Sequence, residues 1–325
     1  MAGQIETAGV QANPIGEAAG LAPRLSQIED RSWILGQPKS SPGYWMRAWH
    51  RYRRNKVALV ALAVVIAIVL FALGADLISK YVTGYTYSEN HLADKLLPPF
   101  SDGYILGSDG NGRDVLTRLA YGGRVSLMVA FLATLALLIL GGSIGAISGF
   151  YGGLVDGIFM RAADTLLSIP TLPLLILVSS FYRPGPKGLA LFIAAVSWPG
   201  VSRIVRGEVI SLRNRDYVEA ARVLGGSNSR VLTRHILPNV VPIIVVWASL
   251  VVPALILTEA SLSYLGLGVR VPTPSWGNML QDAKQFVRVA WTLIFIPGFM
   301  IYITVLAINL VASGLRDALD PRLNN

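Results

Sequence analysis

Long apolar runs, separated by polar and charged segments, dominate the pattern of the chain. The first run covers residues 57–75 and is long enough for one bilayer crossing at about 1.5 Å per residue. Five further apolar runs cover residues 125–149, 164–182, 188–206, 237–258 and 290–312. The pattern predicts an all-α, polytopic membrane protein with about six transmembrane helices.

The same pattern divides the chain into three segments. Residues 1–44 are polar and rich in small residues, and we expect a cytoplasmic, mostly disordered tail. Residues 45–124 hold the first transmembrane helix and an outer loop, and residues 125–322 hold the core of the bundle. Within that core, residues 207–236 form the polar loop between the fourth and fifth spans.

The distribution of basic residues predicts the orientation. Five arginines lie in the loop 207–236, whereas the loop 76–124 has five basic residues against six acidic ones. A further basic cluster precedes the first span and comprises Arg47, Arg51, Arg53, Arg54 and Lys56. Cytoplasmic loops carry the excess of Lys and Arg, so both termini and the loop 207–236 are predicted to face the cytoplasm of a bacterial plasma (inner) membrane.

Composition excludes several classes of chemistry. The net charge of +9 is explained by the membrane-flanking loops, so we expect no nucleic-acid partner. The chain has no cysteine and only three histidines, far apart, so thiol chemistry is excluded and no metal site is expected. It also lacks the GxxxxGK[ST] motif that cradles phosphates. We therefore expect no enzyme activity, and any ATP must bind to another chain.

The loop 207–236 predicts a helix, a turn and a second helix. Asp216 with Glu219 three residues later predicts a capping box at the start of the first helix. Gly225 and the glycine after it predict a left-handed stop, and Ser227 or the next asparagine can cap the second helix. Pro238 then marks entry into the fifth span.

The first of these helices is short and small in cross-section. Ala220 and Ala221 follow the single carboxylate of Glu219. Such a helix can insert into a groove on a partner protein. It can equally belong to an amphipathic hairpin that its arginines draw to the lipid surface. The residue pattern alone leaves both interpretations open.

A gapped motif favours the first interpretation. Glu219-Ala-Ala, then Gly225, then Leu237-Pro238 resembles the EAA loop of binding-protein-dependent ABC import permeases. His235 before Ile-Leu-Pro is similar to the peptide-importer branch. Residues 51–56, 106–127 and 259–277 also resemble the second permease subunit of dipeptide and oligopeptide importers, and the likeness covers about residues 45–322.

The resemblance implies a MetI-like permease fold and transport of short peptides, with nickel or another small solute as the alternative cargo. It implies a homologous permease partner, two ATPase subunits that bind ATP and Mg, an extracytoplasmic substrate-binding protein and surrounding membrane lipid. The residues expected to couple to the ATPase are Asp216, Tyr217, Glu219, Ala220, Ala221, Leu224, Gly225, Leu237 and Pro238.

Three outer residues are candidates for the translocation path or an outer gate: Glu259, Tyr264 and Trp276. Glu259 has no obvious local partner, so we expect a positive group at a subunit interface or a place along the path. A secondary transporter or a membrane enzyme is a weaker interpretation, because the spans hold few acidic residues and no visible repeat.

Two features are predicted to serve packing inside the bundle. Gly141, Gly145 and Gly149 form a small-residue stripe that allows close approach of another helix. Arg161 and Asp164 are three residues apart, and we expect them to pair with each other.

Overall fold

The computed structural model describes residues 44–101, 103–182 and 185–319. In this part of the chain the architecture is helical, and only two isolated β-bridges accompany the helices. The predicted disordered tail lies outside the described residues except for Tyr44, and residues 320–322 of the predicted core lie outside them as well.

Ten helices of eight or more residues occur in the described part of the chain. They are α1 Tyr44–Tyr52, α2 Lys56–Leu73, α3 Val115–Tyr151, α4 Gly153–Leu167, α5 Thr171–Phe181, α6 Pro186–Arg213, α7 Asp216–Val223, α8 Leu237–Tyr264, α9 Trp276–Ala283 and α10 Thr292–Leu319. A short turn, Asn228–Arg230, and a π-helix, Val231–Ile236, lead into α8.

Five of these helices (α2, α3, α6, α8 and α10) are long and apolar enough to cross a membrane. Helices α4 and α5 meet at an 84° bend and supply a sixth span if they count as one broken crossing. The third predicted span, 164–182, is therefore wrong as a continuous helix. Pro170 explains the break, because a proline restrains the residue before it to extended conformations and has no N–H to donate.

Helix α3 begins ten residues earlier than predicted, at Val115 and not at residue 125. Its N-cap is Asp114, whose side chain accepts a 2.7 Å hydrogen bond from the Thr117 N–H. Burial raises the pKa of the Asp114 carboxyl above its usual value, although the hydrogen bonds with Thr117 act in the opposite direction. The first turns of α3 contain Arg118 and Arg124, which do not fit an apolar run. Both arginines bind carboxylates, so the helix begins before the apolar stretch that predicted the span.

Helix α6 also outruns its predicted boundary and ends at Arg213, inside the predicted loop 207–236. It continues through Pro199 without a break. Ser202 Oγ donates a 2.9 Å hydrogen bond to the Pro199 carbonyl within the same turn.

The centre of the bundle is the close pairing of α3 with α6. A Cβ atom at Gly141 would lie 2.7 Å from the Trp198 carbonyl oxygen, and one at Gly149 would lie 2.8 Å from the Arg206 carbonyl oxygen. Gly145 lies against the backbone of Ser202 in the same way. The predicted packing role of the glycine stripe is confirmed.

Ion pairs join the broken span to α6. Asp164 pairs with Arg203, so the predicted pairing of Asp164 with Arg161 is wrong. Asp156 binds Arg206 through two oxygens and also accepts a hydrogen bond from Ser148 Oγ. Both carboxylates of α4 therefore face α6, where Arg203 and Arg206 are three residues apart and bind them.

Candidate functional site

Helix α7 forms the predicted first helix of the loop. Its N-cap is Arg215, whose side chain makes no capping hydrogen bond, and Asp216 is the first helical residue, so the predicted capping box is wrong. The reason is the late end of α6, which leaves a two-residue link before α7. The predicted stop is confirmed, because Gly225 has φ of +82° and the N–H of Gly226 donates to the Ala221 carbonyl. Ser227 caps the next turn as predicted.

The two faces of α7 differ sharply in exposure. Val218 is fully buried and belongs to the apolar cluster that runs through α3, α6 and α8, and Ala221 packs against that cluster. Glu219 and Ala220 are exposed. After the helix, the side chain of Leu224 is 87% exposed, and that of Val223 at its last turn is 83% exposed. Helix α7 therefore packs on the bundle through one face and leaves a carboxylate and two aliphatic side chains exposed on the other.

Polar contacts hold α7 to the ends of α3 and α8, and a further hydrogen bond joins the ends of α6 and α3 beside it. The guanidinium of Arg222 lies 5.6 Å from the ring centroid of Phe150, in the last turn of α3. Arg213, the last residue of α6, donates a 2.9 Å hydrogen bond to the Phe150 carbonyl. Asn239 in the first turn of α8 donates to the Tyr217 hydroxyl at 3.4 Å. Helix α7 therefore contacts both α3 and α8 directly.

The nine predicted coupling residues divide into two groups. Seven lie on α7 and its turn, next to an open depression of about 500 Å³ that Glu219 and Arg222 help to line: Asp216, Tyr217, Glu219, Ala220, Ala221, Leu224 and Gly225. Leu237 and Pro238 are instead the first residues of α8, with Pro238 exposed. The coupling role of all nine residues stays a prediction.

At the opposite end of α8, Glu259 is fully buried. Its carboxylate accepts hydrogen bonds from Ser126 Oγ at 2.8 Å and from Ser263 Oγ at 2.7 Å. The partners of Glu259 are hydroxyls of its own chain, and the expectation of a positive group at a subunit interface is wrong. Ser263 lies one helical turn after Glu259, so the spacing of four residues could have indicated this partner, whereas Ser126 lies 133 residues away and gives no local signal.

Trp276, the first residue of α9, is also fully buried. Its backbone N–H donates to Ser126 Oγ at 3.2 Å, and its indole N–H donates to the Leu119 carbonyl at 3.0 Å. Tyr264 differs, because it is exposed and has the ammonium of Lys284 5.8 Å from its ring centroid. Of the three outer candidates, only Tyr264 is exposed in this structure; the role of all three in a path or gate stays a prediction.

A buried ionic cluster, which the sequence did not predict, ties the start of α3 to α9. Asp109 accepts from Arg113 Nε at 2.7 Å and lies 3.3 Å from Arg118 Nε. Asp282 of α9 binds the same two arginines at 2.9 and 3.3 Å. The side chain of Arg118 is only 1% exposed. With Glu259 and Trp276, this cluster fixes α9 against α3 at the end of the bundle opposite α7.

These features define a class of protein: a polytopic helical membrane protein with a short, largely exposed helix at one end of the bundle and an ion-paired cover at the other. A family model described as binding-protein-dependent transport system inner membrane component matches residues 141–325. A second model, the N-terminal TM domain of oligopeptide transport permease C, matches residues 43–99. The chain belongs to this family of inner-membrane transport components and is a multi-pass membrane protein, as predicted.

Curated relatives resemble it over most of its length. It is 42% identical over 289 residues to the oligopeptide transport system permease protein OppC of Bacillus subtilis, covering 88% of this chain and 92% of the relative. It is 39% identical over 282 residues to the dipeptide transport system permease protein DppC of Alkalihalophilus pseudofirmus, covering 86% and 91%. OppC of Escherichia coli K12 is 40% identical over 282 residues, with the same coverage.

Proposed function

We propose that this chain is the peptide-translocating permease subunit of an ATP-binding-cassette importer. Its similarity to dipeptide and oligopeptide permeases over nearly their whole length supports this substrate class. In the proposed assembly a homologous permease completes the pore and two ATPase subunits bind ATP and Mg. An extracytoplasmic binding protein delivers the peptide. This chain binds no nucleotide and catalyses no reaction.

The proposed orientation puts both termini and α7 in the cytoplasm. The arginines of the segment around α7 and the basic cluster before α2 support it, because such residues concentrate on the cytoplasmic side. The ionic cluster of Asp109, Arg113, Arg118 and Asp282 then lies at the outer face, where its charges are paired.

The geometry of α7 carries the proposed mechanism. Its buried Val218 makes the helix part of the bundle, while Glu219, Val223 and Leu224 remain available to a partner. When ATP closes the ATPase dimer, the partner surface displaces α7. The contacts of Arg222 with Phe150 and of Tyr217 with Asn239 pass that displacement to α3 and α8.

Helix α3 extends the effect across the membrane. Its 37 residues span about 55 Å, and Phe150 beneath α7 lies about 48 Å along the helix from Arg118 in the ionic cluster. A tilt of this helix moves both ends of the bundle together, which is the rocking motion that alternating access requires.

Uptake of a labelled dipeptide into cells that lack this chain tests the proposal. The cells are complemented with wild type, with Glu219→Lys, or with Ser229→Lys as a control that adds the same side chain to the exposed neighbouring turn. Nickel uptake is followed in parallel, and membrane levels of each variant are measured by immunoblot.

We expect wild type and Ser229→Lys to restore peptide uptake and Glu219→Lys to reach the membrane without restoring it. Restoration by Glu219→Lys would contradict coupling through α7 while leaving the transporter in place. Restoration of nickel uptake alone would contradict the peptide assignment while leaving the mechanism in place.

A further inference from the structure

An apolar groove of about 370 Å³ runs along the surface of the bundle between α2 and α10. Its walls include the aliphatic side chains of Val60, Val64, Ile303, Leu306 and Leu310. Lys56, the first residue of α2, also lines it and supplies the charged group at that end.

Small residues explain why the two helices leave a groove here. Near the start of α2 the helices touch, because Gly314 of α10 packs against Ala58 and the ring of Tyr52. Beyond this contact, the buried alanines Ala61 and Ala307 line the floor and cannot fill the space between the helices. Val60 above them is 66% exposed.

The groove has the length of one membrane leaflet. Residues 56–64 advance about 12 Å along α2, and half of a 30 Å hydrocarbon core is about 15 Å. A straight, aliphatic channel of this length parallel to a transmembrane helix matches an extended acyl chain.

The charged end of the groove selects the headgroup. Arg53 and Arg54 precede Lys56, all three are exposed, and residues 47–56 contain no acidic residue. The nearby end of α10 adds Arg316 and Asp317, whose charges offset each other. The net charge at this end is therefore positive.

We propose that the groove binds one acyl chain of an anionic phospholipid, with its phosphate at Arg53, Arg54 and Lys56. Basic groups directly beside a transmembrane helix attract anionic lipids by about 1 kcal/mol for each Lys or Arg. We place this lipid in the cytoplasmic leaflet, and that placement rests on the orientation proposed above. The choice of an anionic lipid rests on the charges alone.

Spin-labelled lipids test this site in the purified transporter, reconstituted with its partner subunits in nanodiscs. Electron paramagnetic resonance measures the fraction of motionally restricted lipid for phosphatidylglycerol and for phosphatidylcholine. We expect restricted phosphatidylglycerol to exceed restricted phosphatidylcholine, and each of Arg53→Gln, Arg54→Gln and Lys56→Gln to reduce that preference by up to about fivefold.

Val60→Trp tests the apolar part, because the indole occupies the groove. We expect it to lower the restricted fraction of both lipids, and the control Leu70→Trp, at a position on the same helix that is 62% exposed and does not line the groove, to leave that fraction unchanged. Equal restriction of both lipids by wild type would overturn the proposal. So would loss of the second permease subunit from purified Val60→Trp complexes, because the groove would then be a subunit interface. Peptide uptake is not the readout, so either failure leaves the proposed transport function standing.

Discussion

The guanidinium of Arg222 lies over the ring of Phe150, with 5.6 Å between its central carbon and the ring centroid. Arg222 belongs to α7, the short helix that presents Glu219 and Leu224, and Phe150 belongs to the last turn of α3. Since α3 continues to the ionic cluster of Arg118 and Asp282, this contact links the exposed helix to the opposite end of the bundle.

Loss of that contact should weaken coupling more than folding. In Arg222→Gln and Phe150→Leu we expect peptide uptake per ATP hydrolysed to fall about two- to fivefold, because an exposed cation–π contact contributes about 0.5–1 kcal/mol. The ratio is measured in proteoliposomes that contain the complete transporter. Arg230→Gln, which removes an exposed arginine from the next turn, serves as the control. A ratio that stays at the wild-type value in both variants would rule out this path.

Two neighbouring glycines of α3 provide a matched test of the helix pairing. A Cβ atom at Gly145 would collide with the backbone of Ser202, whereas one at Gly142 would meet nothing within 4 Å. We expect Gly145→Ala to destabilise the protein by about 1–3 kcal/mol, as overpacking does, and Gly142→Ala to be neutral or slightly stabilising. Thermal unfolding in detergent measures both. Equal melting temperatures would mean that α3 and α6 separate easily at this point.

Features that depend on a local pattern could be predicted from the sequence. The apolar runs predicted the membrane helices, the glycines at intervals of four predicted the packing face of α3, and Gly225 predicted the end of α7. In each case the physical signal lies within one or two helical turns. Family resemblance, carried by the gapped motif from Glu219 to Pro238, then indicated the class of transporter.

Features that depend on partners distant in sequence could not be predicted. Nothing near Arg118 indicates that it binds Asp282, 164 residues away, and without that partner the sequence pattern predicts a loop at the polar start of α3. Likewise, the spacing in the sequence predicts that Asp164 pairs with Arg161 on its own helix, because the position of Arg203 depends on the packing of α4 against α6. Charges inside a membrane protein take partners from whichever helix lies opposite, and a single sequence does not give that arrangement.

Two arginines of α3 should differ strongly in their effect on stability. Arg118 is buried between Asp109 and Asp282, whereas Arg124 pairs with the largely exposed Asp76. We expect Arg118→Met to lower stability by roughly 3 kcal/mol, the low end of the cost of breaking a buried ion pair, because Arg113 still binds both carboxylates. Arg124→Met should have a small effect, since solvent screens its pair. Melting temperatures of the two variants in the same detergent test this difference. Similar shifts in both variants would contradict it.

The buried carboxylate of Glu259 should hold the outer cover formed by α9 and the loop before it. Glu259→Leu leaves the hydroxyls of Ser126 and Ser263 without their acceptor, at a cost of about 1–3 kcal/mol for each buried group left unpaired. Ser126 also accepts from the Trp276 N–H and Ser263 from the Val269 N–H, so the loop between α8 and α9 should loosen. The rate of limited trypsin cleavage after the exposed Arg270 measures how far this loop has loosened.

We expect faster cleavage in Glu259→Leu and a rate near wild type in Glu259→Gln, whose amide oxygen can accept from one serine while its NH₂ donates to the other. The comparison separates hydrogen bonding from charge, because the two variants both remove the carboxylate but only one removes the acceptor. Slow cleavage in both variants would show that apolar burial of Trp276 holds the cover without Glu259. Fast cleavage in both would instead require the negative charge itself, although no cationic group bonds to Glu259 among the described residues.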